Sequence, residues 1–226
     1  MPELSRRSFL KSASLAGASA LINPSAVLAN KKPPNIMMIT VDDLNYDAIS
    51  WLGGQVPGLT PNIDRLKVQG LHFTQAYNTH SRCAPSRGSM MTGLYQDRYA
   101  DRPGTASTTL KDGLTPLPAL LKQTSGYRTG VLGKETHYKP ADRYDWDVVH
   151  PMADVGVGRH PGLYHQAADE FVKKAKSDGV PFFLSANTHD PHRPFAGAAG
   201  ERKSLKRRFD KETKHRTDNP TFHLPP

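Results

Sequence analysis

Cysteine is the scarcest residue type of this 226-residue chain, which has Cys83 and no other. A single cysteine excludes an intramolecular disulfide, so the fold cannot depend on oxidation for its stability. The chain also has no apolar run of the roughly 20 residues that cross a bilayer, and we expect no stable membrane anchor. Basic residues outnumber acidic ones, giving a formal net charge of +9. That balance suits anionic partners, but no nucleic-acid-binding motif accompanies it, so nucleic acid is not an expected partner.

The N-terminal residues have the features of an export signal. Arg6 and Arg7 are followed by an apolar stretch, residues 13–22, and by small residues at 27–29. This pattern resembles the twin-arginine signal, and the apolar stretch is too short to span a membrane. We therefore predict that residues 1–29 are a signal peptide recognised by the twin-arginine translocase. A periplasmic or extracellular location in a bacterium follows.

The following residues alternate predicted strands with predicted helices. An apolar run at 35–41 is typical of a buried central strand of a parallel sheet. Further strands are predicted at 71–77, 129–132 and 182–186, and helices from Pro61 to Gly70 and at 85–91, 117–124 and 164–177. Alternation of this kind predicts an α/β fold with a mostly parallel sheet flanked by helices.

Polar residues directly follow three of these predicted strands. Asp42 and Asp43 follow the first, Lys134 follows the third, and the histidine-containing segment 189–192 follows the last. Ligands of open parallel sheets bind beyond the carboxyl ends of the strands. We therefore expect these side chains to lie at one site. An Asp-Asp pair by itself is also typical of a helix cap or a solvated turn, and a lone lysine of a solvated surface.

The single cysteine opens the run Cys83-Ala84-Pro85-Ser86-Arg87, which continues to Thr92-Gly93. This run resembles the signature of the sulfatase family. The resemblance implies that a maturase oxidises Cys83 to formylglycine, whose aldehyde hydrates to a geminal diol that attacks sulfur. It also implies that Pro85 fixes the turn that presents residue 83. The alternative interpretation is that Cys83 is a small buried hydrophobic residue, as free cysteines commonly are.

Other landmarks extend the resemblance from about Asn35 to Phe195. They are the segments 41–46 and 60–66, Gly133-Lys134 with His137, the strand 181–184 and His189-Asp190-Pro191-His192-Arg193. Together they imply an alkaline-phosphatase-like fold and a hydrolase of sulfuric esters or sulfamates. Sulfated glycans or aryl sulfates are the implied substrates. The last run resembles the heparan N-sulfatase (sulfamidase) branch, whereas the spacing from Lys134 to His137 is closer to the iduronate-2-sulfatase branch.

The resemblance also implies a division of roles among the site residues. Asp42, Asp43 and the modified Cys83 are the implied ligands of Ca²⁺, and Arg87 holds the diol. Lys134 is implied to clamp a sulfate oxygen, and His137 to take the diol proton in the step that releases sulfate. His192 contacts the sulfate and protonates the leaving group. His189 matches a substrate-binding position of less definite role, and a structural histidine is an equal alternative.

The chain departs from the family pattern after residue 200. Sulfatases have a later strand ending in Asp-Asn or Asp-His that completes the metal site, a further basic residue on the sulfate and a smaller C-terminal domain. Asp218-Asn219 has the matching letters but lies in a polar, basic stretch with no apolar strand before it. We therefore expect residues 30–200 to be part of a catalytic domain, apparently truncated. Residues 201–226 read as a basic, disordered tail.

Three other functions remain open. A sulfatase-like chain that lacks the second half of the metal site would be catalytically incomplete. A phosphomonoesterase or phosphonate hydrolase of the same superfamily would use another nucleophile, and such relatives usually have Ser or Thr in place of Cys83. A basic glycan-binding module would need only the positive charge.

Overall fold

The computed structural model describes residues 32–194. The chain divides into two compact units, Met1–Pro34 and Asn35–Pro226. In the first unit only residues 32–34 are described, and they have no regular secondary structure. The predicted signal peptide, the predicted tail and Asp218-Asn219 lie outside the described residues.

In the described part of the second unit, the centre is a sheet of four parallel strands. The strands are β1 (Ile36–Asp42), β2 (Arg128–Leu132), β3 (Val148–His150) and β4 (Phe182–Pro191), and their order across the sheet is β1-β4-β2-β3. The predicted α/β class and parallel sheet are therefore confirmed. The short strand β3 was not predicted, because three residues are too few to show a periodic pattern.

Within the described residues, six α-helices connect the strands. They are α1 (Pro61–Gln69), α2 (Cys83–Thr92), α3 (Gln96–Tyr99), α4 (Leu117–Ser125), α5 (Ala141–Tyr144) and α6 (Pro161–Asp178). Three short 3₁₀ helices cover Tyr46–Ala48, Ser50–Leu52 and Glu135–His137. The longer helices agree with the predicted ones because residues that favour helix starts and ends mark their boundaries. Proline opens α1 and α6, and left-handed glycines end α2 and α6. Among the described helices, none is long and apolar enough to cross a membrane.

Helices cover both faces of the sheet, and the alternation along β4 divides the core into two clusters. On one face, Phe183 packs with Val131, Tyr138 and Tyr144. On the other face, its neighbours Phe182 and Leu184 pack with residues of α6, including Phe171, Ala167 and Ala175. A strand places successive side chains on opposite faces, so β4 is buried on both. This explains why its sequence is a continuous apolar run.

Two strand predictions are wrong. In the described part of the chain, β1 is at the end of the sheet, and its outward residues Met37, Ile39 and Val41 are 47%, 58% and 38% exposed. A continuous apolar run shows that a strand has two apolar faces, but not that both are covered. Residues 71–77 form no strand, and Leu71 and Phe73 are exposed. Alternation alone does not make a strand when no neighbouring strand supplies hydrogen bonds.

Candidate active site

The carboxyl ends of β1, β2 and β4 bring together residues far apart in sequence. β4 lies between β1 and β2, with Thr40 of β1 in register with Asn187. Asp42 ends β1, and Lys134 follows β2 in a left-handed conformation with φ 56°. Gly133, with φ 67°, makes this turn possible because a Cβ there would lie 2.8 Å from the carbonyl oxygen of Asn187. The predicted convergence of the strand-end residues is therefore observed.

A buried carboxylate with positive neighbours forms the middle of the site. Asp42 is 4% exposed, and its Oδ2 is ion-paired with Nζ of Lys134. Its Oδ1 is 3.9 Å from Nη2 of Arg87. Lys134 and Arg87 are each 3% exposed. Two buried cations beside one carboxylate leave positive charge available for an anion, which is the electrostatic environment that sulfate needs.

Helix α2 places Cys83 near this cluster. Cys83 is its first residue and is partly buried, and Arg87 lies one helical turn later on the same face. The helix therefore presents its positive N-terminal end at residue 83. Pro85 lies within the first turn, where its missing N–H leaves no hydrogen bond unmade. Its fixed φ thus shapes the helix start that holds residue 83.

Close packing holds α2 in place. The hydroxyl of Tyr99, from α3, donates to the carbonyl oxygen of Pro85 at 2.7 Å. The ring of Tyr99 lies directly on Gly88, and a Cβ at that position would be 2.4 Å from the phenol Cζ. Tyr99 is fully buried, and burial raises its pKa to about 12, so the hydroxyl keeps its proton. This contact explains why glycine follows Arg87 in the signature run.

Asn187 is a central residue of the site that the sequence did not predict. Its Oδ1 accepts from Nη1 of Arg87 at 2.5 Å and from Oγ1 of Thr40 at 2.8 Å. Its Nδ2 donates to the carbonyl oxygen of Gly133 at 3.2 Å. Asn187 therefore fixes both the Arg87 guanidinium and the turn that places Lys134. The only sequence signal was its position just beyond the predicted 182–186 strand, which in the structure extends to Pro191.

Two partly buried histidines of the site lie beside cations, and both have lowered pKa values. Burial is the main cause that lowers the pKa of His137 to about 4, and the charge of Lys134 adds to it. Burial likewise lowers the pKa of His189 to about 3, again with a contribution from Lys134. A neutral imidazole can accept a proton, which is the role that the family resemblance implies for His137. His189 Nδ1 lies 3.9 Å from Oδ2 of Asp42, so this histidine borders the same carboxylate.

The segment after β4 brings His192 beside Asp43. The rings of His189 and His192 stack with centroids 4.7 Å apart, and Nε2 of His192 is 3.6 Å from Oδ2 of Asp43. Arg159, also missed by sequence reasoning, holds this segment. Its guanidinium binds the carboxylate of Asp190 and donates to the carbonyl oxygen of His192 at 3.1 Å. Asp43 itself is half exposed and adopts φ 58°.

Comparisons with known proteins identify the family of this chain. The profile of the Sulfatase family matches residues 34–220. The chain is 31% identical over 172 residues to human N-sulphoglucosamine sulphohydrolase, covering 74% of this chain and 33% of the relative. It is 33% identical over 176 residues to N-acetylgalactosamine-6-O-sulfatase of Bacteroides thetaiotaomicron, covering 73% of this chain and 32% of the relative. The chain thus spans about a third of the length of these curated relatives.

Solved structures show the same fold. A protein in the alkaline phosphatase superfamily from Vibrio parahaemolyticus superposes with a TM-score of 0.57 at 24% identity, covering 75% of this chain and 43% of that chain. A protein solved in complex with its substrate D-glucosamine-2-N,6-O-disulfate gives a TM-score of 0.56 at 24% identity, covering 72% and 35%. The alkaline-phosphatase-like fold predicted from the sequence is confirmed. With the family profile matching most of its length, this chain belongs to the sulfatase family, whose members hydrolyse sulfate esters or sulfamates.

Proposed function

We propose that this protein is a sulfuric ester or sulfamate hydrolase of sulfated glycans, with Cys83 as the precursor of a formylglycine nucleophile. The observation that supports this most strongly is the pair of buried cations, Arg87 and Lys134, beside the Asp42 carboxylate at the strand ends. Of the two, Arg87 lies one helical turn after Cys83 in α2. Formylglycine, when present, supplies a hydrated aldehyde whose hydroxyl is the nucleophile. The maturase that makes it would be the partner of the newly made chain.

The surrounding side chains are suited to the remaining roles. Lys134 would bind a sulfate oxygen as a compact charge, and Arg87 would hold the hydroxyl of residue 83 by a charge-assisted hydrogen bond. His137, neutral near pH 7, would accept a proton from that residue. His192 would contact sulfate and protonate the leaving amine or alcohol, with His189 supporting its ring by stacking.

The site residues offer the type of ligand that Ca²⁺ prefers, but only some of the number that it needs. Ca²⁺ takes about six to eight oxygen ligands, and the carboxylates of Asp42 and Asp43 at the end of β1 are ligands of that type. Together with an oxygen on residue 83 they would hold one side of the ion. Bound Ca²⁺ supplies positive charge that lowers the pKa of a coordinated hydroxyl and balances charge on the sulfuryl oxygens. Within residues 32–194 these ligands supply only part of the shell.

The substrate class is inferred from the relatives. The two curated relatives described above are named for sulfated hexosamines, one N-sulfated and one 6-O-sulfated, and one structural neighbour was solved with a glucosamine disulfate. We therefore propose a sulfated amino sugar of a glycan as the substrate. N-sulfoglucosamine, N-acetylgalactosamine 6-sulfate and an aryl sulfate are the three compounds to compare.

Mass spectrometry tests the proposal at Cys83. The chain is co-expressed with a formylglycine-generating maturase, and the peptide containing residue 83 should have the sulfur replaced by an aldehyde oxygen. An Arg87→Ala variant, changed within the signature run, should be modified less. An unmodified thiol in every preparation, with the maturase active on a control sulfatase, would contradict the proposal.

A second candidate is that the 226 residues alone are catalytically incomplete. It is favoured by the exposed apolar face of β1 and by the partial Ca²⁺ ligand set. We then expect weak Ca²⁺ binding, because the ion has only part of its oxygen ligands. We also expect little turnover, because losing one oxyanion-stabilising donor already costs about 10²–10³ in rate. Calorimetry with Ca²⁺ and assays of the three sulfated compounds distinguish the candidates. Turnover that Asp43→Ala abolishes would show that the site is complete.

The location is also a proposal. We infer twin-arginine export to the periplasm or beyond from Arg6-Arg7 and the apolar stretch that follows. Replacing both arginines by lysine should leave a fused reporter in the cytoplasm. Unchanged export of the double-lysine variant would exclude this translocase.

A further inference from the structure

Three potential metal ligands of the site form a tighter group than the Asp42-Asp43 pair suggests. Asp42, His189 and His192 each offer one ligand atom, and the three atoms lie within 4.8 Å of one another. The carboxylate comes from the end of β1 and the two imidazoles from the end of β4, which pair in the sheet. The pairing of β1 with β4 therefore creates this group. The spacing of the three residues in the sequence does not predict it.

The chemistry of this group differs from that of a calcium site. Ca²⁺ is bound by oxygen, whereas one carboxylate with two imidazoles is the kind of set that binds Zn²⁺ and other first-row metals. We propose that Asp42, His189 and His192 form a binding site for a divalent transition metal, with Zn²⁺ as the best-matched ion. Such an ion would share Asp42 with the proposed Ca²⁺ site and so exclude productive loading with Ca²⁺. The metal site itself does not depend on sulfatase activity.

The geometry requires the three ligand atoms, which now lie within 4.8 Å of one another, to move closer together. Two ligands bound at about 2.0–2.2 Å to a tetrahedral Zn²⁺ are about 3.4 Å apart. Nδ1 of His189 and Oδ2 of Asp42 are already 3.9 Å apart. Nδ1 of His189 is buried and makes no hydrogen bond within the described part of the chain, so it is available as a ligand. The carboxylate of Asp43, 3.6 Å from Nε2 of His192, is placed as a possible fourth ligand.

The surroundings orient His192 as metal-binding histidines usually are. Its Nδ1 lies 2.5 Å from the carbonyl oxygen of Arg193 and, as the donor tautomer, leaves Nε2 free for a metal. Arg159 fixes the same segment through the Asp190 carboxylate and the His192 carbonyl oxygen. The backbone N–H of His189 donates to the carbonyl oxygen of Gly158 at 2.7 Å. Both imidazoles are thus held before any ion arrives.

Lys134 competes with a metal ion for the Asp42 carboxylate. Its ammonium occupies Oδ2 of Asp42, so a metal must displace it. Replacing Lys134 with methionine removes the competitor and a nearby positive charge. Zn²⁺ should therefore bind more tightly to Lys134→Met than to the parent, although the same change removes the proposed sulfate-binding cation.

Zn²⁺ titration against a chromophoric chelator tests the site in the full chain. A Cys83→Ser background removes the thiol as an alternative ligand, and prior treatment with a chelator removes bound ions. We expect one saturable site, weakened about tenfold or more by His189→Ala or His192→Ala. His165→Ala is the matched control, because His165 is exposed on α6 and should leave the affinity unchanged.

Two results would overturn the proposal. One is equal Zn²⁺ affinity of the parent and the His189→Ala/His192→Ala double variant, with both folded by circular dichroism. The other is Lys134→Met binding Zn²⁺ no more tightly than the parent. Since no substrate is present, neither result bears on sulfatase activity. Formylglycine formation and sulfate release are measured separately, so failure of the proposed function is distinguishable.

Discussion

Lys134 and Asp42 form a buried ion pair between the ends of β2 and β1, the two strands on either side of β4. The other oxygen of Asp42 lies 3.9 Å from the guanidinium of Arg87. The site thus concentrates three charges where little water enters. Such an arrangement is retained at a cost in desolvation, and its value lies in the positive field that it presents to an anion.

Breaking this pair should destabilise the fold. Lys134→Met leaves the Asp42 carboxylate buried with only the more distant Arg87, and removing one partner of a buried pair typically costs about 3–5 kcal/mol. Urea denaturation measures the loss. The Asp42→Asn/Lys134→Met double variant should lose less than the sum of its single variants. Lys173→Met is the control, because Lys173 pairs with Asp169 on the exposed side of α6 and its replacement should cost little.

Asn187→Leu should be more damaging than its size suggests. The change removes the acceptor for Arg87 and Thr40 and the donor to Gly133, leaving buried polar groups that cost about 1–3 kcal/mol each. Denaturant unfolding should show a loss above about 2 kcal/mol. Asn187→Asp, which keeps an acceptor for Arg87, should be milder. If Asn187→Leu behaves like a change at exposed Asn62, the hydrogen bonds do not stabilise the site.

Gly88→Ala should destabilise α2 through the Tyr99 contact. The added Cβ would be 2.4 Å from the ring, and overpacking of this kind costs about 1–3 kcal/mol. Thermal unfolding should give a lower midpoint. In a Tyr99→Leu background the same change should cost less, because the clash is gone. Equal costs in both backgrounds would show that the clash with the Tyr99 ring is not the cause, since helix propensity by itself favours alanine over glycine.

Stability should fall as the pH drops below about 6.5. His137 and His189 have folded-state pKa values lowered from 6.5 to about 4 and about 3, mainly by burial. Between pH 6.5 and these values the unfolded chain binds more protons than the folded one, so the free energy of unfolding rises with pH. Each histidine contributes up to about 1.4 kcal/mol per pH unit in that window.

Replacing one of these histidines measures how much it contributes to the pH dependence of stability. Unfolding midpoints of the metal-free chain are compared between pH 5 and pH 7, above the range where carboxylates titrate. His137→Asn should make the dependence shallower, whereas His165→Asn, changed at an exposed position, should not. An unchanged slope in His137→Asn would mean that folding does not change the pKa of His137.

The sequence by itself determined the elements whose signals are local. The prolines and glycines of the helices 61–69 and 83–92 predicted them to within two residues. The apolar residues at 182–186 predicted the first half of β4, which continues through polar residues to Pro191. The signature run at Cys83 identified the family, and the polar residues after the strands identified the site. Helices and strands could be predicted because each has a fixed backbone period that shows in the pattern of neighbouring residues.

Tertiary structure decided what depends on strand order. The position of β4 between β1 and β2 places Asn187 against Arg87 and Gly133, and it brings the β4 histidines to Asp42. The same order leaves one face of β1 exposed within the described residues, which an apolar run could not reveal. Long-range pairing has no local signature, because the contacts that stabilise it form between segments whose separation in sequence imposes no pattern on either one.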